Sequence, residues 1–221
     1  MTKTVITTVT VSATLRDLTT LETVKDVLAV TGTVDDTFLS RTISQCSTAV
    51  EQGCNRVFAL ETLQDTVFLE RDGYPHMVPG GLPALQLSRW PIVSVASVTE
   101  AGRSLTAGSD FIPDQANGRL IRLHIDGLPS RWRAAIVVVI YQAGYVLPGD
   151  TSGAARTLPC DVEDAVCRLV AARWAERRRD PYLKVEETAG IRNEYWIPAY
   201  DSALPPDVAS LLDNYRVPVV S

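Results

Sequence analysis

The spacing of the apolar residues changes twice along this chain, and that change limits the folds open to it. Leu21, Val24, Val27 and Leu28, then Leu39, Ile43, Cys46, Val50 and Cys54, recur every three or four residues. Each set puts one apolar stripe on an amphipathic helix. From Val57 to Tyr145 the spacing falls near two and is broken by Gly, Pro and Asn, the pattern of strands and turns. Helical spacing returns at Val162, Val166, Leu169, Val170 and Trp174. Helices and strands are thus segregated, which predicts an α+β fold rather than α/β. The expected architecture is a small helical bundle, two N-terminal helices plus one long C-terminal helix. An antiparallel β-rich insertion and extended N- and C-terminal arms complete it. The corresponding segments are an arm at 1–17, a helical core at 18–56 and 158–180, a β-rich lobe at 57–157, and a C-terminal arm at 181–221 with a short helix at 206–215.

Local signals sharpen these boundaries. Thr19-Thr20-Leu21-Glu22 matches a capping box with Thr19 as the cap. Asp35 or Asp36 is placed to cap the second helix and Asp161 the third. Val57 to Leu60 and Thr66 to Leu69 read as separate strands, and Asn117-Gly118 as a hairpin turn in which both residues tolerate positive φ. Six or seven strands are expected between Val57 and Tyr145. Met1 to Arg16, rich in Thr and Val, reads as an extended arm or an edge strand.

The longest apolar run, Ala134 to Tyr141, is of strand length, far short of the roughly 20 residues of a membrane span. The N-terminus lacks the apolar region and small-residue cleavage site of a secretory signal. The chain of 221 residues carries a net charge of −5, whereas a protein that grips duplex phosphates is normally basic. The four cysteines form no C-x-x-C pair, and His76 and His124 are isolated, so no metal site is expected. No phosphate loop or nucleophile motif is present. No catalytic residue and no cofactor are therefore expected.

Two arginine clusters could touch nucleic acid. Arg173 and Arg177 to Arg179 end the third helix, where positive charge also opposes the helix dipole. Arg131-Trp132-Arg133 could stack on bases, or could simply bury Trp132 beside two exposed arginines.

The C-terminal forty residues mix Tyr182, Tyr195, Trp196, Tyr200 and Tyr215 with Pro181, Pro198, Pro205, Pro206 and Pro218. A disordered tail is usually poor in aromatics, so this composition reads as an arm that orders on another protein surface. Its candidate contacts, to a neighbouring subunit or another assembly protein, are Tyr195, Trp196, Tyr200, Leu211, Leu212, Tyr215, Arg216 and Val219.

The order of these segments resembles the head–tail connector, or adaptor, family of long-tailed bacteriophages. The likeness covers most of residues 18 to 217. It begins with "LTTLETVKDVLAVTGTVDDTFLSRTISQCSTAVEQGCNRVF" and continues through "LSRWPIVSVASVTEAGRSLTAGSDFIPDQANGRLIRL". It ends with "IVVVIYQAGY", "LPCDVEDAVCRLVAARWAERR", "EETAGIRNEYW" and "LPPDVASLLDNYR". The resemblance implies a structural virion protein made in the host bacterial cytoplasm and placed at the head–tail junction. It implies a ring of about twelve copies docked on the portal protein, extending the DNA channel. A stopper or tail-completion protein would bind below, with transient contact to genomic DNA and none to a membrane. The Met1 to Asp17 arm has no clear counterpart in that family. The alternative is a nucleic-acid-binding packaging accessory protein that uses the arginine clusters.

Overall fold

The computed structural model describes residues 4–69, 84–133, 135–177, 185–188, 191–194 and 204–218. The chain divides into two compact units. One comprises Met1–Thr14 and Ala59–Tyr145, the other Leu15–Phe58 and Val146–Ser221.

The β unit starts with β1 (Thr4–Val11). After the helical segment 15–58 the chain returns with β2 (Glu61–Phe68), β3 (Ala84–Gln86), β4 (Ile92–Glu100), β5 (Arg103–Leu105), β6 (Phe111–Asp114), β7 (Arg119–Arg122) and β8 (Ile136–Ala143). A five-stranded antiparallel sheet has the order β1-β2-β8-β4-β5, and a three-stranded sheet the order β3-β7-β6. Leu63, Val67, Val98, Val137, Val139 and Tyr141 from the larger sheet share one core with Leu85, Phe111 and Leu120 from the smaller. The extended N-terminal segment is thus a true edge strand of this sheet.

Three expectations need correction here. Val57 to Leu60 is not a strand; β2 runs unbroken from Glu61 to Phe68. Its inward side carries Glu61, Leu63, Asp65 and Val67, all buried, and two carboxylates among them hide the period-two signal. The β6–β7 loop spans residues 115–118, since Asp114 pairs with Arg119. Only Gly118 in that loop has positive φ, at 67°. Asn117 instead donates its side-chain amide to Asp114 at 2.9 Å. The β-rich lobe is also shorter than expected. Residues 57–58 and 146–157 belong with the helices. Thr157 returns hydrogen bonds to Val146, and Arg156 reaches Glu163 at 2.6 Å, tying that loop to the helical unit.

A Cβ added at Gly118 would lie 2.7 Å from Cβ of Trp90 and 3.3 Å from the Arg89 carbonyl oxygen. Gly118→Ala is expected to cost about 1–3 kcal/mol through this crowding and the positive φ. Urea unfolding checks it; an unchanged midpoint would remove the steric role of this glycine.

The helical unit contains α1 (Leu21–Leu28), α2 (Asp36–Cys54) and α3 (Cys160–Glu176). The hairpin strands β9 (Val185–Thr188) and β10 (Ile191–Glu194) follow, then α4 (Pro206–Leu212) and a 3-10 turn at Asp213–Tyr215. α2 and α3 pack along their apolar stripes, burying Leu39, Ile43, Cys46 and Val50 of one and Val162, Val166, Leu169 and Val170 of the other. At one end of this seam Arg177 lies 3.9 Å from the Trp174 ring centroid and pairs with Asp35 at 2.7 Å.

The caps differ from those read in the sequence. Thr20, not Thr19, caps α1 by accepting from the Thr23 N–H at 3.1 Å. The Thr19 hydroxyl turns inward to Glu163 at 3.0 Å. Asp35 is the N-cap residue of α2 but makes no side-chain capping bond. Its carboxylate serves Arg177, while Asp36 serves Lys25 at 2.8 Å. α3 begins one residue before Asp161, with Pro159 at its N-cap, so Asp161 lies in the first turn.

Candidate assembly surfaces

The C-terminal helix shows how far an interface role fits this chain. The sequence places a short helix at 206–215 in an arm that leaves the subunit, because so few residues cannot bury their own apolar side. The structure supplies another solution. Leu204, Val208 and Leu212 are buried within the helical unit, where α4 packs on α3. Gly53 on α2 makes the necessary space: a Cβ there would lie 2.5 Å from Cδ1 of Leu204. The Val217 N–H donates to the Cys54 carbonyl at 2.9 Å, so the segment after the turn is also held.

This corrects the list of interface residues. Leu212 is 0% exposed and belongs to the core of its own unit. Tyr215 is half-buried; its ring lies 6.3 Å from that of Phe58 and its hydroxyl donates to Asp161 at 3.4 Å. Leu211 is partly exposed, and Arg216 is exposed and lies 3.7 Å from Asp213. Tyr195, Trp196, Tyr200 and Val219 lie outside the described residues. Gly53 is the residue that sequence reasoning missed. A lone helical glycine facing an apolar segment was its only signal.

In the first arginine cluster the described side chains have partners within the helical unit, whereas Arg131 and Arg133 of the second are exposed. Arg177 is held by Asp35, Phe38 and Trp174, and Arg173 donates to Gln45 at 3.0 Å. Arg178 and Arg179 lie outside the described residues. Trp132 is buried in the β core at 3% exposure, so its ring cannot serve as a stacking platform for bases.

Buried polar groups fasten the β unit instead. Glu61 pairs with Arg89 and accepts from the Ala13 N–H at 3.2 Å. Asp65 accepts from the Tyr141 hydroxyl at 2.9 Å and from the Ser88 N–H at 2.8 Å. Burial, then the adjacent Asp65 charge, pushes the Tyr141 phenol well above its usual range, so it remains a hydrogen-bond donor. This network holds the segment before β4 against β2. Glu100 does similar work elsewhere, accepting from Arg122 at 3.1 Å and from the Arg133 N–H at 2.6 Å.

Among the described residues no three His, Cys, Asp or Glu side chains converge as metal ligands. Cys46 and Cys54 are buried free thiols pushed up to about 11 by burial, so they stay protonated at neutral pH. His124 is an exposed turn residue 3.1 Å from Asp126. No helix among the described residues is long and apolar enough to cross a membrane.

No family model matches the chain, and no curated protein matches it. Solved structures do. One match is a chain from the neck of an empty GTA particle computed with C6 symmetry. It is 18% identical with a TM-score of 0.53, and the alignment covers 98% of this chain and 97% of that one. Another is a chain from the virion of a native gene transfer agent (GTA) particle, 19% identical with a TM-score of 0.53 and the same coverage. The likeness is one of fold. It spans both units of the chain rather than a shared subdomain.

Proposed function

We propose that this chain is a structural protein of the neck of a tailed phage or gene-transfer particle. Within the neck it is the head–tail connector, or adaptor. About twelve copies form a ring beneath the portal protein, extend the DNA channel and offer the docking site for a stopper or tail-completion protein. The observation that carries this reading is the end-to-end likeness to a chain from a symmetric particle neck. The segment order in the sequence points to the same role independently. Contact with genomic DNA is transient in this account, consistent with a net charge of −5 and with Arg173 and Arg177 engaged inside the subunit.

Contacts to the portal or to a neighbouring subunit are proposed at Tyr195, Trp196, Tyr200 and Val219, together with Leu211 and Arg216 on the outer side of the C-terminal helix. Leu212 is not among them. A scaffold of this kind needs no catalytic group, metal or cofactor.

Native mass spectrometry of the purified chain, with and without the portal protein, tests the proposal against DNA binding. The connector reading expects closed multimers, formed alone or on the portal, and weak DNA affinity. A chain that stays monomeric in both conditions and binds DNA would favour the packaging accessory. Its DNA affinity should then fall about a thousandfold between 50 and 200 mM salt.

A further inference from the structure

The two edges of the five-stranded sheet are built differently. β5, at one edge, is three residues long and begins with Arg103. A short, charged edge is a common protection against unwanted strand pairing. β1, at the other edge, is eight residues long and reads TVITTVTV, with no charge, proline or glycine. The described residues place no strand on its outer side. Ile6 is 54% exposed and Val11 61%. The sheet face beside it is also uncharged. Across the strands lie the rows Ile6–Thr66–Val138–Thr99 and Thr8–Gln64–Ile140–Ser97. β1 has a register shift between Val9 and Val11, a local protection of that end; from Thr4 to Val9 its register is regular, and no charge or proline there opposes a further strand.

The same chain carries a second small sheet. β9 and β10 pair antiparallel, Ile191 opposite Thr188 and Glu194 opposite Val185, and among the described residues their sheet has two strands. Two strands alone are marginal in water, and a third strand stabilises them.

We infer that the β9–β10 hairpin of one copy adds to the open β1 edge of the next copy around the ring. This rests on the ring reading above. A closed ring uses a heterologous contact, in which two different patches on each chain complement each other. Among the described residues, an edge strand with no outer neighbour and a two-stranded hairpin supply such a pair. Main-chain hydrogen bonds would provide the attraction, and the absence of charge along β1 leaves no repulsion to overcome. Edge pairing of β1 with β1 would instead be isologous and would close at a dimer.

Cysteine cross-linking of the full-length chain tests this in a Cys160→Ser background, with and without the portal protein. Thr8→Cys is combined in turn with Glu187→Cys, Arg192→Cys and Asn193→Cys and oxidised. At least one pair is expected to give a ladder of covalent multimers on a denaturing gel, running up to the ring. Multimers that form without any such ladder would overturn the hairpin inference and leave the ring reading standing. Dimers from Thr8→Cys alone would overturn it in favour of β1–β1 pairing. A parent chain that never assembles, alone or with the portal, would overturn the ring reading and this inference with it. As a second arm, Ile6→Lys with Val11→Lys is expected to raise the concentration needed for assembly roughly tenfold or more. Both sites are exposed, so the melting temperature should hold. Unchanged assembly by that variant would also contradict the inference.

Discussion

Cutting the chain after Tyr200 is expected to unfold the helical unit rather than merely release an arm. The cut removes Leu204, Val208 and Leu212, each buried, and exposes the part of α2 at Gly53 that Leu204 covers. Burying one such side chain is worth about 1.5–3 kcal/mol. Losing three removes roughly 5 kcal/mol or more, comparable to the whole stability of many domains. The hydrogen bond from Val217 to Cys54 goes as well. Thermal melting followed by circular dichroism should show a greatly lowered or non-cooperative transition, or no soluble protein. A truncated chain that melts like the full one would mean α4 adds nothing to the core. A cut after Val217 keeps all these contacts and should leave stability unchanged, so it is the proper variant for testing the last residues in assembly.

The second large effect belongs to the β unit. Arg89→Ala is expected to destabilise by about 3–5 kcal/mol, because it removes the Arg89 guanidinium from a buried carboxylate. The Glu61 side chain is wholly buried, while that of Arg89 is 23% exposed. Breaking the pair from the arginine side is therefore the more damaging choice. Glu61→Gln in the Arg89→Ala background should recover part of the loss by removing the buried charge. Urea unfolding of the single and double variants measures both effects. A double variant less stable than Arg89→Ala would show that Glu61 is stabilised mainly by other groups, such as the Ala13 N–H.

What the sequence made legible follows from which signals were unopposed. The α2 and α3 stripes contain no buried charge apart from Glu163, so their period, packing and core residues could be read directly. β2 was misread because its inward positions alternate leucine and valine with Glu61 and Asp65. The partners of those carboxylates, Arg89, Ser88 and Tyr141, lie far along the chain. The capping-box pattern names Thr19 as the cap of α1, but the tertiary bond from Thr19 to Glu163 leaves that role to Thr20. Asp35 and Asp36 have cap chemistry, yet Arg177 and Lys25 claim their side chains. Aromatic and proline composition places the C-terminal helix on a partner, yet it packs within its own unit. The accommodating surface depends on the absence of a side chain at Gly53, which no periodicity reports. Among the candidate contacts, aromatic composition marks Tyr215 as an interface residue; it also contacts Phe58 and Asp161 of its own unit, which no local pattern reports.

The central claim is that this fold builds a ring on the axis of a particle neck. Electron microscopy of the chain purified together with its portal protein tests it most directly. The account predicts end-on views of a closed ring with sixfold or twelvefold symmetry, coaxial with the portal and leaving an open channel. Monomers or dimers in solution beside a bare portal would contradict it.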